Sequence, residues 1–544
     1  MNKKIYIMLL PILLLLGGLL CGCTDWLDTQ PNDKQSEKQQ FATKDGFYAA
    51  VNGVYNRMGG NSLYGRDLSY GMVDILGQYY QVEKDNESSY YKYLRALTDW
   101  DYNNESVIAA LSAIWAEAYS VIMNINVILK NLEEDLTGAQ VLPEKEYAML
   151  RGEMLAARAM IHFDLLRLFG PVYSKNPEGR GIPYNDNTDP QILPVLGAND
   201  VLENYILRDL TEAERLLLNS DPVIKEGPRA EYDKVTLDNS MRYRQLRLNY
   251  YATILLTARA YLWAENYELA LSEAQKLTDD PKVNEHFPTV DFSKLLQNNN
   301  DPDRMFSTET LFGFYNKDRG LIYKYNFGGE DSGKNLLIPR AGYTNGILFA
   351  NSDAGDIRFK SQWENRVTLD GESSMGLTKF KDINDKGKED AAAGDGNDTD
   401  VLQAQKFYGT FCSSIKLIEA YYIAAEAYGL QGNTGKGQEY LDNARAKRGL
   451  GKYVQDYGMD WLRTWLNQEY TREFVGEGQK FFYFKRTNQG FDNDFNGRKE
   501  VKVQTSPGFP PFIPPSYDYK DHADDAEKEI RFVAPIPKSE LDNR

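Results

Sequence analysis

Arg151–Val172 reads RGEMLAARAMIHFDLLRLFGPV. Its apolar residues recur every three or four positions. Within Lys145 to Phe169, Leu150, Met154, Ala157, Ile161 and Leu168 fall on one side, which is the period of an α-helix and not of a strand. Gly170-Pro171 ends it, because proline cannot continue the backbone ladder and disfavours helix in the residue before it. The chain's other regular elements read the same way.

On the N-terminal side, Phe41 to Met58 places Phe47, Ala50, Val54 and Met58 at helical spacing. Ile108, Leu111, Trp115, Ala118, Ile122, Ile125 and Leu129 form a longer stripe. On the C-terminal side, Val201 to Leu218 is helical, with Asp200 and Glu203 placed like a capping box. Two helical hairpins follow. One holds Ala258, Tyr261 and Ala270; the other holds Ala425 and Tyr428 before a Gly-Asn turn. Small residues let two helices approach while an aromatic fills the gap, the spacing of tetratricopeptide units. The expected fold is mostly α: a tetratricopeptide-like helical-repeat scaffold. Between about Pro281 and Gln405 periodicity fades and Gly, Asn, Asp and Pro rise, with short β-like runs such as Thr310 to Phe314. A structureless loop of that length does not fit a compact domain, so a loop-rich insert with short strands is expected.

Composition excludes several functions. The 544 residues are 42% hydrophobic and 26% charged, ordinary for a folded protein. The net charge is −17 without basic tracts, which argues against nucleic-acid binding. Three cysteines cannot build a disulfide framework, and three histidines leave little for metal or triad chemistry. Asp382, Asn384 and Gly387 stand at EF-hand spacing, but position twelve is Ala393, so the bidentate carboxylate is missing. Gly476-x-Gly478 lacks the strand-loop-helix context of a phosphate site, His162 falls beside an apolar helix face as a core or interfacial residue, and no G-x-S-x-G nucleophile motif occurs. No metal, cofactor or catalytic residue is expected. The 37 tyrosines fit helix interfaces, or a surface that handles sugars or peptides.

The N-terminus has the layout of a secretory signal. Lys3 and Lys4 precede the apolar stretch Ile5 to Leu20, whose 16 residues fall short of the ~20 that span a bilayer. It ends Leu20-Cys21-Gly22-Cys23, which resembles a bacterial lipobox. That resemblance implies cleavage before Cys23 and a lipid on its thiol, in a register that gives Leu20 the −3 position. Residues 1–22 would then be the signal and 23–40 a polar tether. About 17 extended residues reach ~60 Å, and a flexible chain of that length averages ~20–25 Å.

Taken in order, these segments resemble the SusD/RagB family. RGEMLAARAMIHFDLLRLFGPV is similar to its signature helix, FATKDGFYAAVNGVYNRM to its first helix, and GIPY to the strand that follows the signature. LDNARAKRGL is similar to its late repeat helix, TREFVGEGQKFFYFKR to its R-E-x-x-x-E-G helix, and PIPKSEL to its C-terminal segment. Tyr483 stands where that helix usually has an acidic residue, and Lys480 where it has Arg. The family's D-P-R-L motif is missing, with GDIRFKS at most its relic.

The resemblance implies a single body over 41–544: a helical scaffold (41–280), a loop-rich ligand-face insert (281–410), a helical repeat (411–490) and C-terminal loops (491–544). It implies a cell-surface lipoprotein of an outer membrane that binds a glycan. As a hinged lid, it would deliver that glycan to a SusC-like TonB-dependent transporter. The ligand residues it implies are Trp100 and Asn103 in LTDWDYNNES, and Asp74 lies where the family can offer an acidic hydroxyl contact; Tyr102 beside them and Tyr343 and Trp363 in the loop-rich insert are further candidates. Exposed aromatics suit the C–H faces of sugars, while Asp and Asn pair hydroxyls. Peptide binding by the same lid is one alternative. A surface glycoside hydrolase using two carboxylates is another, although no carboxylate spacing singles out a pair.

Overall fold

The computed structural model describes residues 37–81, 87–133, 138–189, 191–229, 241–296, 303–328, 337–339, 348–349, 355–367, 373–381, 409–453, 458–489 and 531–542, with a few isolated positions. Cys23, the lipobox, residues 23–36 of the expected tether, Tyr343 and the EF-hand-like stretch lie outside the described residues, while 37–40, the tether's end, are helical. The chain divides into two compact units, 1–50 and 51–544. In the first, Phe41 and Phe47 rings lie 4.9 Å apart, and the Gly46 amide donates to Thr43 Oγ1 at 3.1 Å. The rest concerns the second.

The architecture is mostly helical, with few and short strands. At its centre is the helix Glu144–Phe169. The apolar stripe covers only part of what it buries: from Gly152 to Phe169 every residue is buried, including Glu153, Arg158, Asp164 and Arg167. Each of these four has a partner. Arg158 Nε donates to Asp209 at 2.6 Å and Arg244 Nη1 to Glu153 at 2.6 Å, while Asp164 accepts from Tyr64 Oη at 2.7 Å and pairs with Arg167. Paired burial avoids the penalty of an orphaned ion. Gly152 lets the helix Leu207–Ser220 come close, since a Cβ there would meet Leu217 Cγ at 2.8 Å. At the C-terminal end, where carbonyls lack helical partners, the buried Lys485 Nζ donates to Gly170 O at 2.7 Å.

The helix Glu105–Asn131 packs alongside. It starts at the cap Asn104, whose side chain accepts from Ser106 N at 3.0 Å. Its buried stripe begins at Val107, one turn before Leu111; Ile108, assigned to that stripe from spacing, is 42% exposed. The expected capping box at Asp200 is not formed. Helix begins earlier, at Ala198 after Gly197, so Asp200 is already helical and its carboxylate accepts from Asn204 instead.

Both expected hairpins form: Tyr250–Trp263 with Tyr267–Thr278, and Ile418–Leu430 with Thr434–Ala446. Asn266 and Asn433 cap the second helix of each. Gly437 allows the close approach within the later hairpin, since a Cβ there would meet Ala425 O at 2.6 Å. Tyr267–Thr278 packs on Ile418–Leu430, and Gln275 Nε2 donates to Tyr428 and Tyr440 Oη at 3.2 and 3.3 Å.

The described part of the insert contributes to short antiparallel ribbons, one of which takes its second strand from Phe411–Lys416, at the start of the segment expected to be helical. Thr310–Tyr315 pairs with Phe411–Lys416, and Trp363–Val367 with Ser373–Leu377. A buried ionic cluster joins these ribbons to the helix Met459–Glu473. Glu473 accepts from Arg448 at 2.8 Å, Lys416 at 2.7 Å and Arg358 at 3.2 Å. Glu469 accepts from Arg358 at 2.8 Å, Arg472 at 3.0 Å and Arg445 at 3.1 Å. Arg448 also reaches Glu309 at 2.9 Å, and Lys379 and Lys416 both pair with Glu477.

Candidate functional site

Trp100, Tyr102 and Asn103 are brought together in the short connection between the helices Ser89–Thr98 and Glu105–Asn131. Trp100 has a left-handed backbone with φ 53. For a bulky L-residue that conformation costs on the order of 1 kcal/mol and persists only where the surroundings enforce it. The turn is enforced by backbone bonds: Trp100 N donates to Leu97 O at 3.1 Å and Asp101 N to Ala96 O at 2.7 Å. A second left-handed residue, Gln78 (φ 61), braces it by donating Nε2 to Thr98 O at 3.1 Å. Trp100 keeps 9% exposure, and the Arg531 guanidinium carbon lies 4.9 Å from its ring centroid. Tyr102 is buried and donates its hydroxyl to Arg531 O at 2.8 Å. Asn103 is exposed.

Asp74 and Trp363 are turned inward. Asp74 is fully buried; its carboxylate accepts from Tyr80 Oη at 2.5 Å, Gly476 N at 3.0 Å and Gly478 N at 3.2 Å. Both glycines have positive φ, 78 and 73. The Gly-x-Gly amides therefore form an anion cradle whose occupant is a side chain of the same protein. This correction to Asp74's expected place as a hydroxyl contact follows from residues some four hundred positions downstream. Trp363 is 7% exposed and starts a ribbon strand, its ring 6.4 Å from that of Phe349.

Burial pushes the Asp74 carboxyl up to about 7, against the pull of Tyr80, the two amides and Lys379. A raised carboxyl stabilises the fold at low pH, below the unfolded value near 4, and loses that contribution as pH rises through 7. Asp74→Asn removes this titration. Its stability relative to the parent should rise by about 2–3 kcal/mol between pH 5 and pH 8. Denaturation midpoints of both proteins at the two pH values check this; an equal difference at both would reject the assignment.

Among the described residues two tyrosines outside the expected set are exposed: Tyr315 (59%), which ends the strand Thr310–Tyr315, and Tyr325 (57%) in the helix Tyr323–Gly328. Among 37 tyrosines nothing in local pattern marked these two, since exposure is decided by the pairing of Tyr315 with Phe411 and by the helix that follows.

Among the described residues, a groove of about 620 Å³ is lined by Glu203, Arg208, Thr211 and Asn266 with one aromatic, Tyr261. A groove of about 520 Å³ beside Arg151, Asp186, Asn187 and Asp189 has no aromatic lining, and its Arg158 and Arg208 are paired with Asp209 and Asp186. An aromatic-lined cavity at Tyr64, Tyr70, Phe314 and Phe380 measures about 20 Å³, the room of a single water.

Comparison with known proteins agrees with this architecture. Residues 25–228 match a family model described as starch-binding, associating with outer membrane, and residues 414–544 match the SusD family. SusD-like protein P2 of Formosa agariphila is 25% identical over 258 residues, 47% of this chain and 43% of that protein. The chain spans about half the length of the curated relatives it matches. A SusD superfamily protein of Bacteroides vulgatus superposes with a TM-score of 0.62 at 22% identity, covering 92% of this chain and 96% of that one. A laminarin-binding SusD-like protein does so with a TM-score of 0.53 at 19% identity, covering 82% and 92%. With a family match at each end of the chain and the same fold across most of its length, this protein belongs to the SusD/RagB family.

Proposed function

We propose that this protein binds an oligosaccharide or polysaccharide at the cell surface and passes it, as a hinged lid, to a SusC-like TonB-dependent transporter. In this reading Cys23 carries the lipid anchor, residues 23–40 form the tether and the body over 41–544 acts as one binding module without chemistry of its own. The observation that carries it is Trp100: a strained tryptophan at the head of a long scaffold helix, beside the exposed Asn103, in a family whose matching model is described as starch-binding. An indole face supplies apolar contact to the C–H side of a pyranose, and an amide beside it supplies both a donor and an acceptor for hydroxyls. Tyr315 and Tyr325 add amphipathic faces on the insert.

Affinity electrophoresis in gels containing laminarin or soluble starch, followed by titration calorimetry on a panel of plant, algal and host glycans, tests the binding. Retention by at least one glycan, with no product released over time, is the expected result. Binding to peptide mixtures and to no glycan would reject the ligand class, and released oligosaccharide would reject the non-catalytic reading. The protein gently extracted from outer membranes should bring a large β-barrel with it; its isolation alone would count against the lid.

A further inference from the structure

Trp100 is presented to Arg531 by two unrelated parts of the chain. The guanidinium lies over the indole at 4.9 Å. The backbone that delivers it is fixed at Arg531 itself and three residues on: Tyr102 Oη donates to Arg531 O at 2.8 Å, and Ala534 N donates to Leu168 O at 3.2 Å. Between them Phe532 is 1% exposed, its ring 5.9 Å from that of Phe481. The Arg531 side chain is therefore held at the indole by an anchored main chain, yet it has several rotatable bonds of its own.

We propose that in the unliganded protein Arg531 occupies the face of Trp100 on which a sugar ring stacks, and that a glycan binds by displacing it. The inference rests on Trp100 being the glycan platform. A planar guanidinium and the flat side of a pyranose compete for the same surface, since both seek the electron-rich ring face. The remaining 9% exposure of Trp100 is too little for a stacked ring, so the platform must open. Swinging the side chain aside breaks none of the backbone bonds that hold 531–534. A stacked arginine contributes modestly, so a glycan can outcompete it at a reduced apparent affinity.

Two measurements test this. Without ligand, Arg531→Ala should increase acrylamide quenching of tryptophan emission, and the increase should disappear in the Trp100→Phe background; quenching equal to that of the parent overturns the proposal. With laminarin or soluble starch in affinity gels, R531A should bind about fivefold tighter than the parent. Unchanged or weaker binding overturns the proposal, weaker binding marking Arg531 as a sugar contact instead. Trp100→Ala separates the two readings. If it abolishes binding while R531A changes nothing, only the displacement fails; if it leaves binding intact, the platform itself fails. Matching thermal midpoints for R531A and the parent keep a folding defect from counting as either result.

Discussion

Glu473→Ala should lower unfolding stability by about 3–5 kcal/mol. Glu473 is 1% exposed and its carboxylate is shared by Arg448, Lys416 and Arg358, all three fully buried. Removing it leaves three cations with one anion fewer in a medium that cannot hydrate them, and the penalty of the orphaned charges exceeds the loss of any one contact. The exposed pair Arg215–Glu212, at 2.7 Å, is the internal control. Glu212→Ala should cost under about 1 kcal/mol, because water already solvates both partners. Denaturant midpoints of the two variants against the parent give the comparison, and values within 1 kcal/mol of each other would sink the claim. The pH dependence has a fixed sign. Burial alone would raise Glu473, but Arg448 and Lys416 outweigh it and hold the group well below the usual range. Glu469 is held at about 2 by Arg358, Arg472 and Arg445 against the same burial. Depressed carboxyls stabilise the fold above the unfolded value near 4.3 and lose that contribution as pH falls toward 2. The cluster should therefore survive mild acid, and Glu473→Ala should flatten the acid limb of the stability curve.

This cluster also shows where sequence reading stops. The helix at Glu144–Phe169 was legible because its period and its Gly-Pro stop are local, and the two hairpins were legible for the same reason. What was hidden is that Glu153, Arg158, Asp164 and Arg167 are as buried as their apolar neighbours. Periodicity sees residue type, while burial of a charge depends on a partner such as Asp209 or Arg244, up to 91 positions away. GDIRFKS looked like a worn remnant, yet Asp356 caps the helix Ile357–Gln362 and Arg358 sits at the centre of the ionic cluster. Its partners at Glu469 and Glu473 lie more than a hundred residues on. At the candidate site, Trp100 and Asn103 follow from resemblance, whereas the guanidinium 4.9 Å from the Trp100 ring belongs to Arg531, 429 residues beyond Tyr102. Asp74 was placed on the wrong side of the surface for the same reason, since the Gly476 and Gly478 amides that hold it inside belong to a distant turn.

Trp100→Ala should reduce affinity about 10- to 100-fold for whichever glycan the panel identifies. The magnitude follows from what the side chain is doing at its position. It is a large aromatic with a left-handed backbone, where glycine would be favoured and tryptophan is disfavoured. The surrounding turn would form more readily with glycine. Truncation removes the indole face and leaves the turn's own hydrogen bonds, from Trp100 N to Leu97 O and from Asp101 N to Ala96 O, in place. Trp100→Gly should lose the same affinity while relieving the backbone, so its thermal midpoint should exceed that of Trp100→Ala. Agreement between the two in binding, with separation in stability, distinguishes a lost ligand face from a damaged turn. Asn103→Ala, which leaves the aromatic intact, should weaken binding by about fivefold to tenfold, the worth of one hydrogen-bonding group. If both Trp100 variants bind the identified glycan as the parent does, the ligand face lies elsewhere, and Tyr315 and Tyr325 become the first residues to truncate, because they are the exposed aromatics of the insert among the described residues that could replace it.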